Sequence, residues 1–459
     1  MKRKAKIRKK VLISLLAVIL LSSLAFLGTA LQPVEGQNEE ETMILVDGED
    51  PDEEKTLSLE PDKAIRAVFS VDLSQVEGVE NITWNFEDGE ETISKETLVT
   101  KEGVGDYRVE VTYRDFGEYD VELKVETEEQ EFTDSVTIVV EEDKRGMFLA
   151  TIGAGLAVGI AGMGAGIGVG IAGAAGAGTI AEKPDKFGLS LVFQALPQTQ
   201  AIYGLLVAIL LFLFTGVIGE PGFVSIPVGI IAVGIGLSVG LAGLSAIGQG
   251  IASASGIAAV SEDSDMFGKG MVFSVLPETQ AIYGLLLSIL LMIFSGLLGE
   301  AVAITPSVGF VGVGAGLAVG IAGLSGIGQG IAAASGIATV AEDEGMFGRA
   351  MVFSVLPETQ AIYGLLIGIL LIVFSGMMGG EATLSMGMGI AAVGAGLAIG
   401  IAGISGIGQG ITSGSAIAAV SNREETFGKG MIFSVMSETF AIFGLLVAIL
   451  IIVSLGFMG

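Results

Sequence analysis

Hydrophobic and polar positions follow two different patterns along the chain. Between residues 57 and 143, apolar residues recur at every second position in short runs with turn residues between them: Ala67-Val68-Phe69-Ser70-Val71, Tyr107-Arg108-Val109-Glu110-Val111, Tyr119-Asp120-Val121-Glu122-Leu123-Lys124-Val125 and Ser135-Val136-Thr137-Ile138-Val139-Val140. That period predicts half-buried strands and a small β-sandwich. Beyond Arg145 the apolar runs lengthen to those of membrane-spanning helices and pair into four tandem hairpins, 146–219, 226–299, 307–379 and 387–459. The first helix of each is rich in Gly and Ala at small-xxx-small spacing, as in Gly236-Leu237-Ser238-Val239-Gly240, and the second is bulkier, with Leu, Ile and Phe. Small residues let helices approach closely in lipid, so small helices inside and large ones outside suit a closed ring. The fold class expected is an all-α membrane protein of four hairpins, forming part of a ring, behind a small N-terminal all-β domain.

Two stretches ahead of the strands differ from both patterns. Met1 to Lys10 holds seven Lys and Arg, and an apolar run to Leu27 and the small residues Gly28-Thr29-Ala30 follow. Residues 1–31 therefore read as a secretory signal, with an uncleaved anchor as the other reading. Residues 32–56 cluster acids with Gly and Pro, a composition that buries no core, and are expected to form a disordered linker.

Composition narrows the chemistry. Among 459 residues, 51% hydrophobic and 70 of them Gly, there is no Cys and no His, which excludes disulfides, zinc sites, Ser/His triads and haem ligation. There is no phosphate-binding loop either, so the chain is expected to hold no catalytic site and no cofactor, and any chemistry falls on carboxylates. The net charge of −28 arises mostly before Lys144, and no nucleic-acid partner is expected. The loops inside the hairpins carry Lys183, Lys186, Lys269, Arg349, Arg423 and Lys429, whereas the connections between hairpins carry acids such as Glu220, Glu300 and Glu381 and no Lys or Arg. The positive-inside rule places the hairpin loops in the cytoplasm and the β domain and C-terminus outside.

One polar motif interrupts the apolar helices. Leu276-Pro277-Glu278-Thr279-Gln280-Ala281-Ile282-Tyr283-Gly284 recurs every 80 residues, as Leu196 to Gly204, as Leu356 to Gly364 and, diverged, as Met436 to Gly444. On a helix Leu276, Thr279, Gln280 and Tyr283 share one face, while Glu278 points roughly 160–200° away from Leu276 and Tyr283 at about 100° per residue. The carboxylate and the Thr/Gln/Tyr face therefore address different neighbours. A carboxylate near mid-bilayer costs about 2.5–3.5 kcal/mol on insertion and marks function rather than packing. Gln249, Gln329 and Gln409 lie as far before the hairpin loop as Glu278, Glu358 and Glu438 lie after it, which sets each pair at one depth. Pro197, Pro277 and Pro357 free backbone carbonyls nearby.

Gly-Gln-Gly in the first helix, with the Leu-Pro-Glu-Thr-Gln-Ala-Ile-Tyr-Gly nonamer in the second, closely resembles the proteolipid (c or K) subunit of the rotor ring of archaeal and vacuolar-type ATPases, over residues 146–459. The resemblance implies that the Glu carries the transported ion, Na+ or H+. In sodium-binding members it is aided by a Gln of the same hairpin and by a Leu carbonyl, Thr, Gln and Tyr of the neighbouring outer helix. Carried over, Glu278 and Gln249 are joined by Leu196, Thr199, Gln200 and Tyr203. Glu358 and Gln329 are joined by Leu276, Thr279, Gln280 and Tyr283, and Glu438 and Gln409 by Leu356, Thr359, Gln360 and Tyr363. The partners implied are copies of the chain in a ring, a stator membrane subunit of the a/I type, central-stalk subunits and lipid. Hairpin 1 has Gln198 in place of Glu and Val169 in place of Gln, and hairpin 4 has Met436, Ser437, Phe440 and Phe443 on what should be its donor face. Every loss falls on the seam where hairpin 4 of one chain meets hairpin 1 of the next, leaving three sites intact. Each intact site offers a carboxylate, two amide oxygens, a hydroxyl and a backbone carbonyl, which suits a hard cation and favours Na+ over H+, since a proton needs only the carboxylate.

The β region carries its own resemblance. Trp84-Asn85-Phe86-Glu87-Asp88-Gly89, followed by Phe116-Gly117-Glu118-Tyr119-Asp120-Val121, resembles PKD-type immunoglobulin-like domains, with Glu87 where the family has Gly. A membrane-anchored extracytoplasmic binding or adhesion protein is the reading from another class, but an anchor needs no repeated buried Glu. A secondary transporter would show inverted rather than tandem repeats.

Overall fold

The computed structural model describes residues 44–47, 54–59, 65–71, 79–86, 107–113, 117–127, 131–219, 223–298, 304–378 and 384–454. The signal or anchor of residues 1–31, the turn at Glu87 and most of the acidic stretch 32–56 lie outside them. The chain divides into two units, Met1–Glu141 and Glu142–Gly459.

The first unit is built of β1 (Ile44–Val46), β2 (Glu54–Leu59), β3 (Ile65–Val71), β4 (Val79–Phe86), β5 (Tyr107–Tyr113), β6 (Gly117–Thr127) and β7 (Glu131–Glu142). They form a three-stranded sheet in the order β1-β3-β5 and a four-stranded sheet in the order β2-β7-β6-β4. The alternation read in the sequence becomes two-faced strands: Val121, Leu123 and Val125 of β6 and Val136, Ile138 and Val140 of β7 are all buried, with Val121 opposite Val136. Trp84 sits at the centre, its ring centroid 6.0 Å from Phe69 and 6.1 Å from Phe86. The sandwich begins earlier than expected, because β1 and the start of β2 fall inside the stretch read as linker. Ile44-Leu45-Val46 is too short an apolar run to stand out among acids, yet it pairs with β3, from Ile44 opposite Val71 to Val46 opposite Phe69. Ile44 and Val46 are buried, and the Ile44 N–H donates to Asp134 Oδ2 at 2.9 Å. Tertiary pairing outweighs local composition there.

The second unit is helical. Its inner helices run Arg145–Glu182, Ile226–Glu262, Pro306–Glu342 and Met386–Asn422, and its outer helices Pro184–Phe214, Glu344–Phe374, Glu424–Ser454 and the pair Met266–Ser274 and Glu278–Phe294, bent by 41°. Among the described residues seven helices are long and apolar enough to cross a membrane, or eight with the bent pair taken as one span. Asp143 fastens the start of hairpin 1, accepting from the Arg145 N–H at 3.0 Å and from its guanidinium at 2.9 and 2.8 Å. That guanidinium holds the Asp143 carboxyl below the usual carboxylate range.

Each inner helix packs on the inner helix of the next hairpin, and each outer helix on the inner helix of its own. Glycine sets the inner spacing: a Cβ on Gly250, Gly330 or Gly410 would fall on the carbonyl of Gly168, Gly248 or Gly328 in the preceding inner helix. The outer helices of hairpins 1 to 3 end at Gly216, Gly296 and Gly376, with φ of 70°, 79° and 81°, a left-handed turn that glycine adopts without a Cβ penalty. The inner helices of hairpins 2 and 3 are largely covered, while those of hairpins 1 and 4 are much less so.

Candidate ion-binding sites between the hairpins

The proline of each nonamer breaks its outer helix in hairpins 1 to 3: a 3-10 turn spans Leu196–Gln198 and Leu356–Glu358, and the bend of hairpin 2 falls between Ser274 and Glu278. In hairpin 4, Ser437 replaces the proline and only a single turn residue separates Phe427–Met436 from Glu438–Ser454. The nonamers of hairpins 2 and 3 each serve two neighbours. In hairpin 2, Glu278 reaches Tyr203 and Gln249, while Tyr283, on the opposite helical face, reaches Glu358 of hairpin 3.

The first site joins hairpins 1 and 2. The Tyr203 hydroxyl donates to Glu278 Oε1 at 2.6 Å and the Gln249 amide to Glu278 Oε2 at 3.3 Å. Gln200 Nε2 donates to Gln249 Oε1 at 2.7 Å, and the Thr199 hydroxyl lies 3.0 Å from the Leu196 carbonyl and 3.1 Å from Gln200 Oε1. The second site repeats this between hairpins 2 and 3: Tyr283 to Glu358 at 2.6 Å, Gln329 to Glu358 at 3.2 Å, Gln280 to Gln329 at 2.7 Å, and Thr279 to the Leu276 carbonyl at 2.9 Å. The third joins hairpins 3 and 4: Tyr363 to Glu438 at 2.6 Å, Gln409 to Glu438 at 3.3 Å, Gln360 to Gln409 at 2.6 Å, and Thr359 to the Leu356 carbonyl at 3.0 Å.

Burial within each site is graded. Gln200, Gln249, Gln280, Gln329, Gln360 and Gln409 are fully buried, whereas the three glutamates are half-buried. The amides thus lie inside each site and the carboxylate at its margin. Of the donor residues expected from the neighbouring outer helix, Tyr203, Tyr283 and Tyr363 bond directly to the glutamate assigned to them, Gln200, Gln280 and Gln360 bond to the glutamine that holds it, and each Thr bonds to the Leu carbonyl and Gln of its own helix. At the open edges of the unit, Gln198 is exposed, as are Phe440 and Phe443, at 62% and 57%.

Sequence reasoning had used the loop cations only for orientation and missed what they contact. Lys183 pairs with Glu262, Lys269 with Glu344 and Arg349 with Glu424, each at 2.8 Å and each across a hairpin junction. Phe193, Phe273 and Phe353 likewise meet Phe267, Phe347 and Phe427. The signal was present in the 80-residue spacing of the phenylalanines and of Lys269 and Arg349 with Glu344 and Glu424, whereas Lys183–Glu262 has no repeat, because Asp263 and Asp343 stand where Lys183 would recur.

Comparison with known proteins bears on this arrangement. The sequence model of the family described as the C subunit of ATP synthase matches residues 152–211, 233–291, 313–371 and 393–451, once in each hairpin. The K subunit of the A-type ATP synthase of Methanocaldococcus jannaschii is 58% identical over 229 residues, 49% of this chain and 96% of that protein. The K subunit of the V-type sodium ATPase of Enterococcus hirae is 35% identical over 149 residues, 32% of this chain and 92% of that protein. The 16 kDa proteolipid of the V-type proton ATPase of Nephrops norvegicus is 31% identical over 132 residues, 28% of this chain and 81% of that protein. With a match in every hairpin and a K subunit aligned over nearly its whole length, the chain belongs to the C-subunit family of ATP synthases as a rotor proteolipid of the A/V type, an ion-translocating rather than a catalytic component.

Proposed function

We propose that this rotor proteolipid carries Na+ across the membrane on Glu278, Glu358 and Glu438 as its ring turns, and that the seam between chains carries none. The observation that supports this most is the donor set repeated at three junctions: a carboxylate, two amide oxygens, a hydroxyl and a backbone carbonyl, drawn from two hairpins each time. One carboxylate balances one monovalent charge, whereas calcium sites gather several. Among the described residues no three acidic side chains are placed to share a metal. The two bonds to each carboxylate are unequal, 2.6 Å from tyrosine against 3.2–3.3 Å from glutamine. An entering cation displaces the longer amide bond and leaves the short charge-assisted one, which keeps the glutamate turned into the site.

Neutralising the carboxylate removes the charge that lipid opposes, so a loaded site can travel through the bilayer with the ring. The stator a/I-type subunit would then reopen it, and central-stalk subunits would couple rotation to ATP synthesis or hydrolysis. The relatives' names include both a sodium and a proton enzyme, and H+ carried on the same three glutamates is the second reading. The basic hairpin loops favour a cytoplasmic position, with the PKD-like β domain outside. Carbodiimide labelling tests the assignment, since the reagent needs a protonated carboxyl. At constant pH, millimolar Na+ should protect Glu278, Glu358 and Glu438; protection that follows pH alone would assign the protons instead.

A further inference from the structure

The three ion sites share one set of hydrogen bonds, but the hairpins that carry them are not fastened alike. Each outer helix meets its inner helix closely at the glycine that closes the nonamer: a Cβ on Gly204, Gly284, Gly364 or Gly444 would fall on the carbonyl of Ala157, Ser238, Ala318 or Ala398. Four residues after the same glycines stand Ala208, Ser288, Gly368 and Ala448. Hairpin 2 alone has a hydroxyl at both positions.

Both hydroxyls are fully buried, and both tie the two helices together. Ser238, on the inner helix, donates to the Gly284 carbonyl at 3.0 Å. Ser288, on the outer helix, reaches the Ile235 carbonyl of the inner helix at 3.0 Å and the Gly284 carbonyl at 2.8 Å. A hydroxyl has one hydrogen to give, so Ser238 supplies a standing bond across the contact and Ser288 a second whenever it turns to Ile235. Such directed bonds are among the few that apolar helices can make to each other in lipid. The same hairpin has the most to fasten. Its outer helix is divided into Met266–Ser274 and Glu278–Phe294, bent by 41°, whereas among the described residues the other three outer helices have no bend of that size. The serines fix the second segment, which carries Glu278 and Tyr283 just ahead of Gly284.

We infer that Ser238 and Ser288 are positioning residues that make the three sites unequal in ion affinity. The first site takes its carboxylate, Glu278, from the fastened segment, and the second takes its tyrosine, Tyr283, from it. The third, with Tyr363 on hairpin 3 and Glu438 on hairpin 4, takes nothing from it. A site with one half already held loses less freedom when the ion enters. Glu278 and Glu358 therefore hold their ions more tightly than Glu438 does. This rests on the reading of the three glutamates as ion carriers and adds to it the order of their affinities and the residues that set that order.

Ser238→Ala with Ser288→Ala, in full-length protein in membranes, removes both bonds and leaves alanine where hairpins 1 and 4 already carry it. Carbodiimide labelling is titrated with Na+ and read peptide by peptide. In the unaltered protein the midpoints at Glu278 and Glu358 should lie below that at Glu438. At roughly threefold per interhelical bond in lipid, the double variant should raise the first two by about three- to tenfold and leave Glu438 where it was. Ala318→Ser tests the same point in the opposite direction, whether or not the double variant assembles: a hydroxyl facing the Gly364 carbonyl should lower the midpoint at Glu438, whose tyrosine is in that hairpin. Equal midpoints in the unaltered protein, or an equal shift at all three sites, as a general loss of stability would give, would overturn the inference. If none of the three responds to Na+, the sodium reading fails and the order is read from the pH midpoints of labelling, with Glu278 and Glu358 remaining labelled to higher pH than Glu438. An equal or reversed order there would overturn the inference as well.

Discussion

Replacing Tyr283 by Phe removes one hydroxyl and keeps the aromatic ring, which packs on the apolar core between the hairpins. The hydroxyl donates to Glu358 Oε1 at 2.6 Å. Hydrogen bonds to charged groups contribute about 1.5–3 kcal/mol, which at about 1.4 kcal/mol per tenfold corresponds to a roughly 10- to 150-fold loss of ion affinity. The loss should appear at Glu358, because the tyrosine of hairpin 2 serves the carboxylate of hairpin 3. Glu278, in the same hairpin as Tyr283, is held by Tyr203 instead and should keep its affinity. The assay is Na+ titration of carbodiimide labelling, read peptide by peptide by mass spectrometry, with Glu278 and Glu438 as controls inside the same molecule. An unchanged midpoint at Glu358, or a shift at Glu278 in its place, would refute donation across the junction and redraw all three sites.

Gln198→Glu alone should not create a fourth Na+-protected carboxyl, because Val169, Phe440 and Phe443 offer no oxygen; adding Val169→Gln, Phe440→Gln and Phe443→Tyr should be needed, and labelling at position 198 decides it. Gly330→Ala places a methyl on the Gly248 carbonyl, an overpacking cost of about 1–3 kcal/mol, and should lower the thermal stability of the ring, while Gly348→Ala, at an exposed position of an outer helix with nothing within 4 Å, should leave it unchanged. A chain beginning at Arg145 behind a suitable signal should still form rings, since no site residue lies before it; normal insertion without ring assembly would show that the β domain is needed.

The polar motif was legible because it is periodic, and a helical wheel separates Glu278 from Tyr283; which neighbour each meets came from the resemblance to rotor proteolipids, since Tyr203 and Glu278 stand 75 residues apart and Gln200 and Gln249 stand 49 apart. The unequal bonds to the carboxylate were not legible, because side-chain distances leave no mark in a residue pattern; Glu438 has them on a helix without the proline. The phenylalanine series is repeated just as regularly, and the Lys269–Glu344 pair recurs as Arg349–Glu424, yet an apolar residue in an apolar helix and a cation in a loop each have a sufficient local explanation, so nothing pointed to a partner. Strand β1 was missed for the opposite reason: Ile44 and Val46 owe their burial to β3, over twenty residues further on, and their acidic surroundings argue for a linker.

Equilibrium binding of radioactive sodium to the purified ring, counted per chain, tests the three-site account most directly. It predicts three Na+ per chain, all displaced by carbodiimide modification of Glu278, Glu358 and Glu438. Four per chain would mean that the seam binds after all, and none at neutral pH would contradict sodium as the coupling ion.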